Sequence, residues 1–192
     1  MPIPLGILAQ FRQAAAGDFV LLESQVLSSN QSSVTFSNLA TLAAGYKHLQ
    51  IRVAARTSAA EVLSGVRVRL GTGSIDSGAN YSAHQLYGFN GSVISGAGTS
   101  QTAMFASAVA GANAASNIFG AVVIDLLDPF VSTKNTTSRT LGGIVAGTGT
   151  SAYISLESSA WLNTAAVEQA SVLPVSGNWV TGSRFSLYGI RG

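Results

Sequence analysis

The sequence predicts an all-β protein, built as a jelly-roll-like antiparallel β-sandwich with a short extended N-terminal arm. Roughly ten short strand-like runs recur along the chain, separated by turn residues, which is a spacing typical of sandwiches. The helical candidate at Leu39–Ala44 spans one or two turns before Gly45, so no long helix competes with the strands. Jelly roll is the favoured form because a double sheet of about eight strands is a common sandwich.

The composition indicates a chain that associates with other subunits. Its 192 residues fit one domain, predicted at 18–192, behind an arm at 1–17. Charged residues make up 9% of the chain, against roughly 25% in ordinary soluble domains. Hydrophobic residues make up 47%, which excludes a disordered chain, and no apolar run is long enough to span a membrane. Because so few charges do little to prevent association, we expect much of the surface to be buried against other subunits.

The first 17 residues are predicted to form an extended arm. Pro2 and Pro4 disfavour a helix, and the small residues Ala14–Gly17 indicate a flexible joint. A signal peptide would carry its cations before the apolar run, whereas the first cation here, Arg12, follows it. We expect the arm to dock on a neighbouring subunit.

Four strands are predicted before the first long loop. They are Phe19–Leu27, Val34–Phe36, Tyr46–Arg56 and Val66–Leu70. The third is the clearest, because apolar and polar residues alternate along it, and the fourth repeats the alternation. The polar positions of these two strands include Arg52, Arg56, Arg67 and Arg69. We expect these arginines on solvated strand faces, and the alternative is a basic stripe that meets an acidic partner.

Turn residues punctuate the middle of the chain. The segment 71–80 is loop chemistry throughout, Asn90-Gly91 is a strong hairpin signal, and Gly96–Ser100 is predicted as a flexible turn. The strands of this region are Tyr81–Tyr87, Thr102–Val109 and Ile118–Leu127. The last is nearly continuous in apolar residues, so we expect it in the centre of a sheet, ended by Asp128-Pro129.

Four strands follow to the end of the sequence. They are Thr140–Val145, Tyr153–Glu157, Val167–Leu173 and Gly182–Gly192. In the last one Phe185 and Leu187 alternate with polar residues, and an apolar terminal segment is normally tied down. We therefore expect it to be inserted between earlier strands, with Arg184 and Tyr188 on an outer face or at a subunit contact.

The sequence predicts no enzyme, and it assigns no catalytic, cofactor-binding or metal-binding residues. Gly147–Ala152 matches G-x-G-x-x-A, but a strand is predicted after it instead of the helix that a dinucleotide site needs. Asp125 and Asp128 are the close acidic pair, and they fit a strand end and turn as well as a glycosidase pair. His48 and His84 lack metal-ligand spacing, and the absence of cysteine removes thiolate chemistry.

Binding partners are also constrained by charge and aromatic content. The net charge of +2 comes from ten cations against eight anions, and the cations are scattered, so no nucleic-acid partner is expected. The residues that could build a sugar-stacking platform are Trp161, Trp179, Tyr81, Tyr87, Phe89 and Tyr153. Aromatic residues in a sandwich more often fill the core or an interface.

A serine hydrolase is disfavoured because no G-x-S-x-G elbow occurs in the sequence.

Several segments resemble small virion proteins of tailed bacteriophages, of the cyanophage and marine-phage type. These segments are Tyr46–Arg56, Asn80–Gly88, Phe119–Asp128, Lys134–Arg139 and Gly182–Ile190. The resemblance runs from about Phe19 to Ile190 and implies a virion component: a capsid decoration or cement protein, a head fibre, or a tail-fibre module. Its segments carry no functional signature, so it implies no catalytic or binding residues.

A capsid cement or decoration role is favoured among these, because the predicted domain is compact, lacks a fibrous repeat and carries an apolar arm. Such a protein would stabilise the head through inter-subunit contacts. The resemblance implies the major capsid protein or other virion proteins as partners, and a homotrimer by analogy. The alternative is a tail-fibre or receptor-binding module that recognises host surface glycans through its loops. No cofactor, nucleic acid or membrane is expected as a partner.

Overall fold

The computed structural model describes residues 18–147 and 151–192, and the described chain forms thirteen strands and one short helix. In chain order they are β1 (Phe19–Val26), β2 (Val34–Phe36), α1 (Leu39–Leu42), β3 (His48–Ala55), β4 (Leu63–Thr72), β5 (Ser74–Ile75), β6 (Tyr81–Phe89), β7 (Ser92–Gln101), β8 (Met104–Ala110), β9 (Gly120–Leu127), β10 (Thr136–Val145), β11 (Ala152–Trp161), β12 (Gln169–Pro174) and β13 (Arg184–Ile190). The predicted arm at 1–17 lies outside the described residues, as do residues 148–150 of the G-x-G-x-x-A match.

The strands form two antiparallel sheets that enclose one main core. The larger sheet has eight strands in the order β1-β13-β3-β9-β10-β11-β6-β7. The smaller sheet runs β2-β12-β4-β5, and β8 pairs with β4 as well. The predicted all-β sandwich is therefore confirmed.

Large aromatic side chains fill the centre of the sandwich. Trp161, Trp179, Tyr81 and Phe185 are fully buried, and the Trp179 and Phe185 rings meet edge to face at 5.2 Å. The indole N–H of Trp179 donates to Val172 O at 3.1 Å, so its polar atom is satisfied inside the core. These residues hold the two sheets together and face no solvent.

The closing strand β13 lies between β1 and β3, as predicted. Its Phe185 and Leu187 are buried, while Arg184 is exposed and Tyr188 half-buried on the opposite face. Phe19 of β1 stacks on Tyr188 at 4.8 Å. Both neighbours thus hold β13 along its length.

Two predictions in the middle of the chain have different outcomes. The Asn90-Gly91 hairpin is confirmed: both residues have positive φ, 48° and 85°, and they join β6 to β7. The flexible turn predicted at Gly96–Ser100 is wrong, because this segment belongs to β7. Glycine, serine and threonine gave no strand signal there, and antiparallel pairing with β6 overrides their weak propensity.

The two edges of the larger sheet differ in character. β1 carries Glu23, and its pairing register shifts between Leu21 and Glu23. β7 is ten residues long and contains no charged residue or proline; it pairs continuously with β6 from Ser92 to Gly98, and its register shifts between Gly98 and Gln101. The long interior strand β9 lies between β3 and β10, as predicted for Ile118–Leu127.

Candidate functional site

Near the middle of β10 and β11, apolar side chains face away from the core and polar ones face into it, whereas Ile144 and Trp161 of the same strands are buried. Ile154 and Leu156 of β11 are 63% and 50% exposed, whereas Ser155 and Glu157 are buried. The buried polar residues of β10 are Thr136, Ser138 and Thr140. A sheet with one solvated face normally shows the opposite arrangement. The outer face of these strands therefore exposes an unusual amount of apolar surface.

The exposed apolar residues stand in register across the larger sheet. Leu141 pairs with Leu156, which pairs in turn with Leu86, so these three side chains lie side by side about 5 Å apart. Leu141 is 57% exposed and Leu86 50%. We call this surface the apolar face; its members are Leu86, Val93, Leu141, Val145, Ile154 and Leu156. Contiguous exposed apolar surface of this kind marks interaction sites.

Polar side chains border the apolar face on the side of β3. Gln50 Nε2 donates to Asp125 Oδ1 at 2.8 Å, and Arg139 lies 3.8 Å from Asp125 Oδ2. Arg52 Nε donates to Gln50 Oε1 at 2.9 Å. An apolar centre with a polar border is the usual composition of a protein–protein interface.

A cleft of about 480 Å³ lies on the opposite side of the same strands, between the inner face of β6 and β11 and the strands β4 and β8. We call it the aromatic cleft; its lining includes Arg67, Gln85, Tyr87, Phe89, Tyr153 and Glu157. The Tyr87 and Tyr153 rings stack with their centroids 5.2 Å apart. Burial raises the pKa of Tyr153 to about 12.

Glu157 is the carboxyl group of the aromatic cleft, although only 2% of its surface is exposed. Its Oε2 accepts a hydrogen bond from Ser107 N–H at 2.9 Å, and the Ser107 and Ser155 hydroxyls lie 2.8 Å apart. Burial raises the pKa of Glu157, and the Ser107 hydrogen bond partly opposes that rise. A desolvated carboxyl group in a cleft is typical of functional sites.

A β-bulge in β8 positions the Ser107 amide. Between the pairs Gly65–Ala108 and Arg67–Phe105, β8 has two residues where β4 has one. Ser107 takes a φ of 75°, which is uncommon for a residue other than glycine. Bulges often lie beside functional sites, where they redirect a side chain or an amide. Here the bulge directs an N–H group at Glu157.

Arg67 is the cation of the aromatic cleft. Its guanidinium carbon lies 4.2 Å from the centroid of the Phe105 ring, and Nη1 donates to Val66 O at 3.0 Å. Burial lowers the pKa of Arg67, and the nearby Glu157 charge opposes that change. One cation and one carboxyl group therefore line the same cleft.

The predicted arginines do not form one stripe. Arg52 lies on the larger sheet, whereas Arg67 and Arg69 lie on the smaller one. Arg56 follows β3 and binds a loop: its guanidinium donates to the carbonyl oxygens of Ala112, Ala114, Ala115 and Ile118 at 2.6–3.2 Å. Its role in this structure is to hold that loop.

The candidate acids and histidines also separate. Asp125 faces Gln50 on the outer sheet face, whereas Asp128 contacts Lys134 and His48. The Asp128 N–H donates to His48 Nδ1 at 3.0 Å, and the hydrogen bond from Lys134 holds the pKa of Asp128 below its usual range. His84 is exposed on β6. The structure therefore gives Asp125 and Asp128 different partners instead of one shared site.

The predicted aromatic platform divides into two groups. Trp161, Trp179 and Tyr81 are core residues, and the residues that line the aromatic cleft are Tyr87, Phe89 and Tyr153. Sequence reasoning did not single out Glu157. The period-two pattern puts it on the same strand face as Tyr153, but the pattern does not show that this polar face is the inner one.

Three further observations concern the described residues. Between 18–147 and 151–192, no three His, Cys, Asp or Glu side chains are grouped so that they could hold a metal ion. The same residues include no helix long and apolar enough to cross a membrane. Strand β11 follows the G-x-G-x-x-A match, as predicted, instead of a helix.

Comparisons with known proteins identify no family for this chain. No protein-family model matches the chain, and no curated protein sequence matches it significantly. Among solved structures, a weakly similar one is the CBM2 module of the evolved Dit of Lactobacillus casei BL23 phage J-1. It is 13% identical, with a TM-score of 0.24, and the match covers 83% of this chain and 69% of that one. A TM-score this low carries no argument about fold or function.

Proposed function

We propose that the protein is a structural component of a bacteriophage virion, most simply a capsid cement or decoration protein that packs against other subunits through its apolar face. The observation that carries the proposal is the row of exposed leucines on neighbouring strands, Leu86, Leu156 and Leu141. The resemblance of several segments to tailed-phage virion proteins gives the setting. Together they favour a subunit that is completed by its neighbours.

The energetics of the larger sheet favour this role. Burial of an exposed leucine or isoleucine side chain would stabilise the protein by roughly 1.5–3 kcal/mol, and the isolated chain lacks this stabilisation. On the inner face, the hydroxyls of Thr136 and Thr140 are buried without a hydrogen-bond partner among the described residues. The exposed apolar side chains and the unpaired hydroxyls both destabilise the isolated chain. A partner that covers the apolar face would offset the exposure of the apolar side chains. Further copies of this chain and the major capsid protein are the proposed occupants.

Location and copy number in purified virions test the proposal. A cement or decoration protein should approach the copy number of the major capsid protein, and a particle reconstruction should show density from another subunit against Leu141 and Leu156. An apolar face left open to solvent in the assembled particle, or absence of the chain from virions, would contradict the proposal.

A receptor-binding module that recognises host surface glycans is the second candidate. The observation that favours it is the aromatic cleft, where the stacked Tyr87 and Tyr153 lie beside Glu157 and Arg67. Such a module should be present in few copies at the tail tip and should label host cells. Failure of the fluorescently labelled protein to bind host cells would count against this candidate and leave the structural role intact.

A further inference from the structure

We infer that the aromatic cleft binds an uncharged sugar ring, with the ring face on Tyr87 and the hydroxyls on Gln85, Glu157 and Arg67. This inference rests on the second candidate function for its biological ligand, but its physical argument comes from the cleft alone. At about 480 Å³ the cleft is within the usual size range of small-molecule sites.

The aromatic side chains supply a flat apolar surface. Tyr87 and Tyr153 stack at 5.2 Å with 29° between their planes, and Phe89 lines the same cleft. Aromatic rings present an electron-rich face. The C–H groups on one side of a pyranose ring match such a face in shape and polarity, whereas a peptide or a nucleobase offers no comparable mixture of C–H and hydroxyl groups.

The polar groups offer both donors and acceptors. A guanidinium has five N–H donors, and within the described chain Val66 O engages one of those of Arg67. Glu157 supplies carboxyl oxygens, and Gln85 supplies both an amide N–H₂ and a carbonyl oxygen. Sugar hydroxyls donate and accept at once, so they can satisfy all three side chains.

The charge balance of the cleft selects against charged ligands. Arg67 and Glu157 line the same cavity with opposite formal charges. An anionic ligand is attracted by Arg67 but repelled by Glu157, and a cationic ligand is attracted by Glu157 but repelled by Arg67. A neutral polyhydroxylated ring avoids both penalties.

The framework around Glu157 is already organised. The Ser107 amide holds one carboxyl oxygen at 2.9 Å, and the bulge that directs this amide keeps Ser107 at a positive φ. Gly142 makes room for the bulge, because a Cβ there would lie 2.3 Å from Ser107 Oγ. A strained residue held in place beside a cleft indicates a prepared binding site.

Saturation-transfer NMR and calorimetry with defined saccharides test the inference. The probes are neutral hexoses and their methyl glycosides and short oligomers, with glucosamine and galacturonate as charged comparisons. We expect at least one neutral probe to bind in preference to both charged ones, and Tyr87→Ala to weaken that binding by about tenfold or more. Gln85→Ala should weaken sugar binding too, while both variants keep the thermal unfolding midpoint of the wild type.

Tyr188→Ala is the matched control, since Tyr188 is an aromatic residue on the outer face of β13 that stacks on Phe19. It should bind sugar like the wild type. No saturable binding of any neutral probe, preference for a charged probe, or equal loss in Tyr87→Ala and Tyr188→Ala would overturn the inference. Sugar binding without host-cell labelling would contradict the receptor role and would still support the sugar site.

Discussion

Asp76 contacts Trp161, Gly78 and Tyr81 through its carboxylate and its backbone carbonyl. Its Oδ2 accepts a hydrogen bond from the indole N–H of buried Trp161 at 2.8 Å, and its Oδ1 accepts one from Gly78 N–H at 2.8 Å. Its carbonyl oxygen accepts another from the Tyr81 hydroxyl at 2.8 Å. The segment 71–80, predicted as loop throughout, instead contains the end of β4 and the short strand β5, and its acidic residue fixes it to the core.

Asp76→Ala should lower the free energy of unfolding by about 1–3 kcal/mol, because it leaves the buried Trp161 N–H without its acceptor. Asp76→Asn keeps an acceptor oxygen and should cost less. Chemical denaturation at neutral pH measures both. Asp18→Ala, at an exposed carboxylate, is the control and should be close to neutral. Equal effects of Asp76→Ala and Asp18→Ala would contradict this role.

The hydrogen bond from Trp161 also holds the pKa of Asp76 below its usual value of 3.8. A lowered folded-state pKa gives stability that is present above the unfolded value and lost as the pH falls through the folded one. The wild type should therefore lose more stability than Asp76→Asn between about pH 4 and pH 2. Parallel curves for the two proteins in this range would show that the ionised form contributes nothing.

Ser107 and Gly142 form a matched pair of residues. Gly142→Ala should destabilise the protein by about 1–3 kcal/mol, because the new methyl group would lie 2.3 Å from Ser107 Oγ. Adding Ser107→Gly removes that contact and relieves the positive φ, so the double variant should recover stability, with a coupling of at least about 0.5 kcal/mol in a double-mutant cycle. Gly88→Ala, whose Cβ would meet the exposed Ile154 at 3.3 Å, is the control. Additive effects would refute the close contact.

At the scale of the elements, strands were predictable where apolar and polar residues alternate along the sequence. β3 alternates cleanly, and β13 lies between β1 and β3 as its apolar positions required. β7 was missed beyond its Asn90-Gly91 turn, because Gly and Ser residues form a strand there only through pairing with β6. The orientation of β10 and β11 could not be predicted, because both of their faces contain small or apolar residues. Burial of Ser155 and exposure of Leu156 depend on tertiary packing.

The apolar face gives the prediction at this scale. Leu141→Glu with Leu156→Glu should shift the protein from oligomer to monomer in analytical ultracentrifugation, since two desolvated carboxylates would lie in the contact. The monomer should keep its unfolding midpoint, because both side chains are outside the core. Thr137→Glu, exposed on the same face of β10, is the matched control. A wild-type protein that is monomeric at all concentrations, with no partner in the virion, would contradict the interface.

At the scale of the whole molecule, the apolar face and the aromatic cleft lie on opposite sides of the same strands. Leu156 faces outward and Glu157 inward on β11, and Leu86 and Gln85 do the same on β6. An occupied apolar face therefore leaves the cleft open. We therefore expect the proposed assembly and the proposed sugar binding to be separable: a variant at Leu141 should keep sugar binding, and a variant at Tyr87 should keep assembly.

The uncharged edge of the larger sheet has a consequence for the protein outside a particle. Natural sheets usually protect an edge with lysine, proline or a bulge, and from Ser92 to Gly98 β7 has none of these. Among residues 18–147 and 151–192, no strand pairs with the outer backbone groups of β7, so these groups can template a strand from another molecule and sheets can grow from chain to chain. We expect isolated subunits to be lost during storage by concentration-dependent fibril formation sooner than by unfolding.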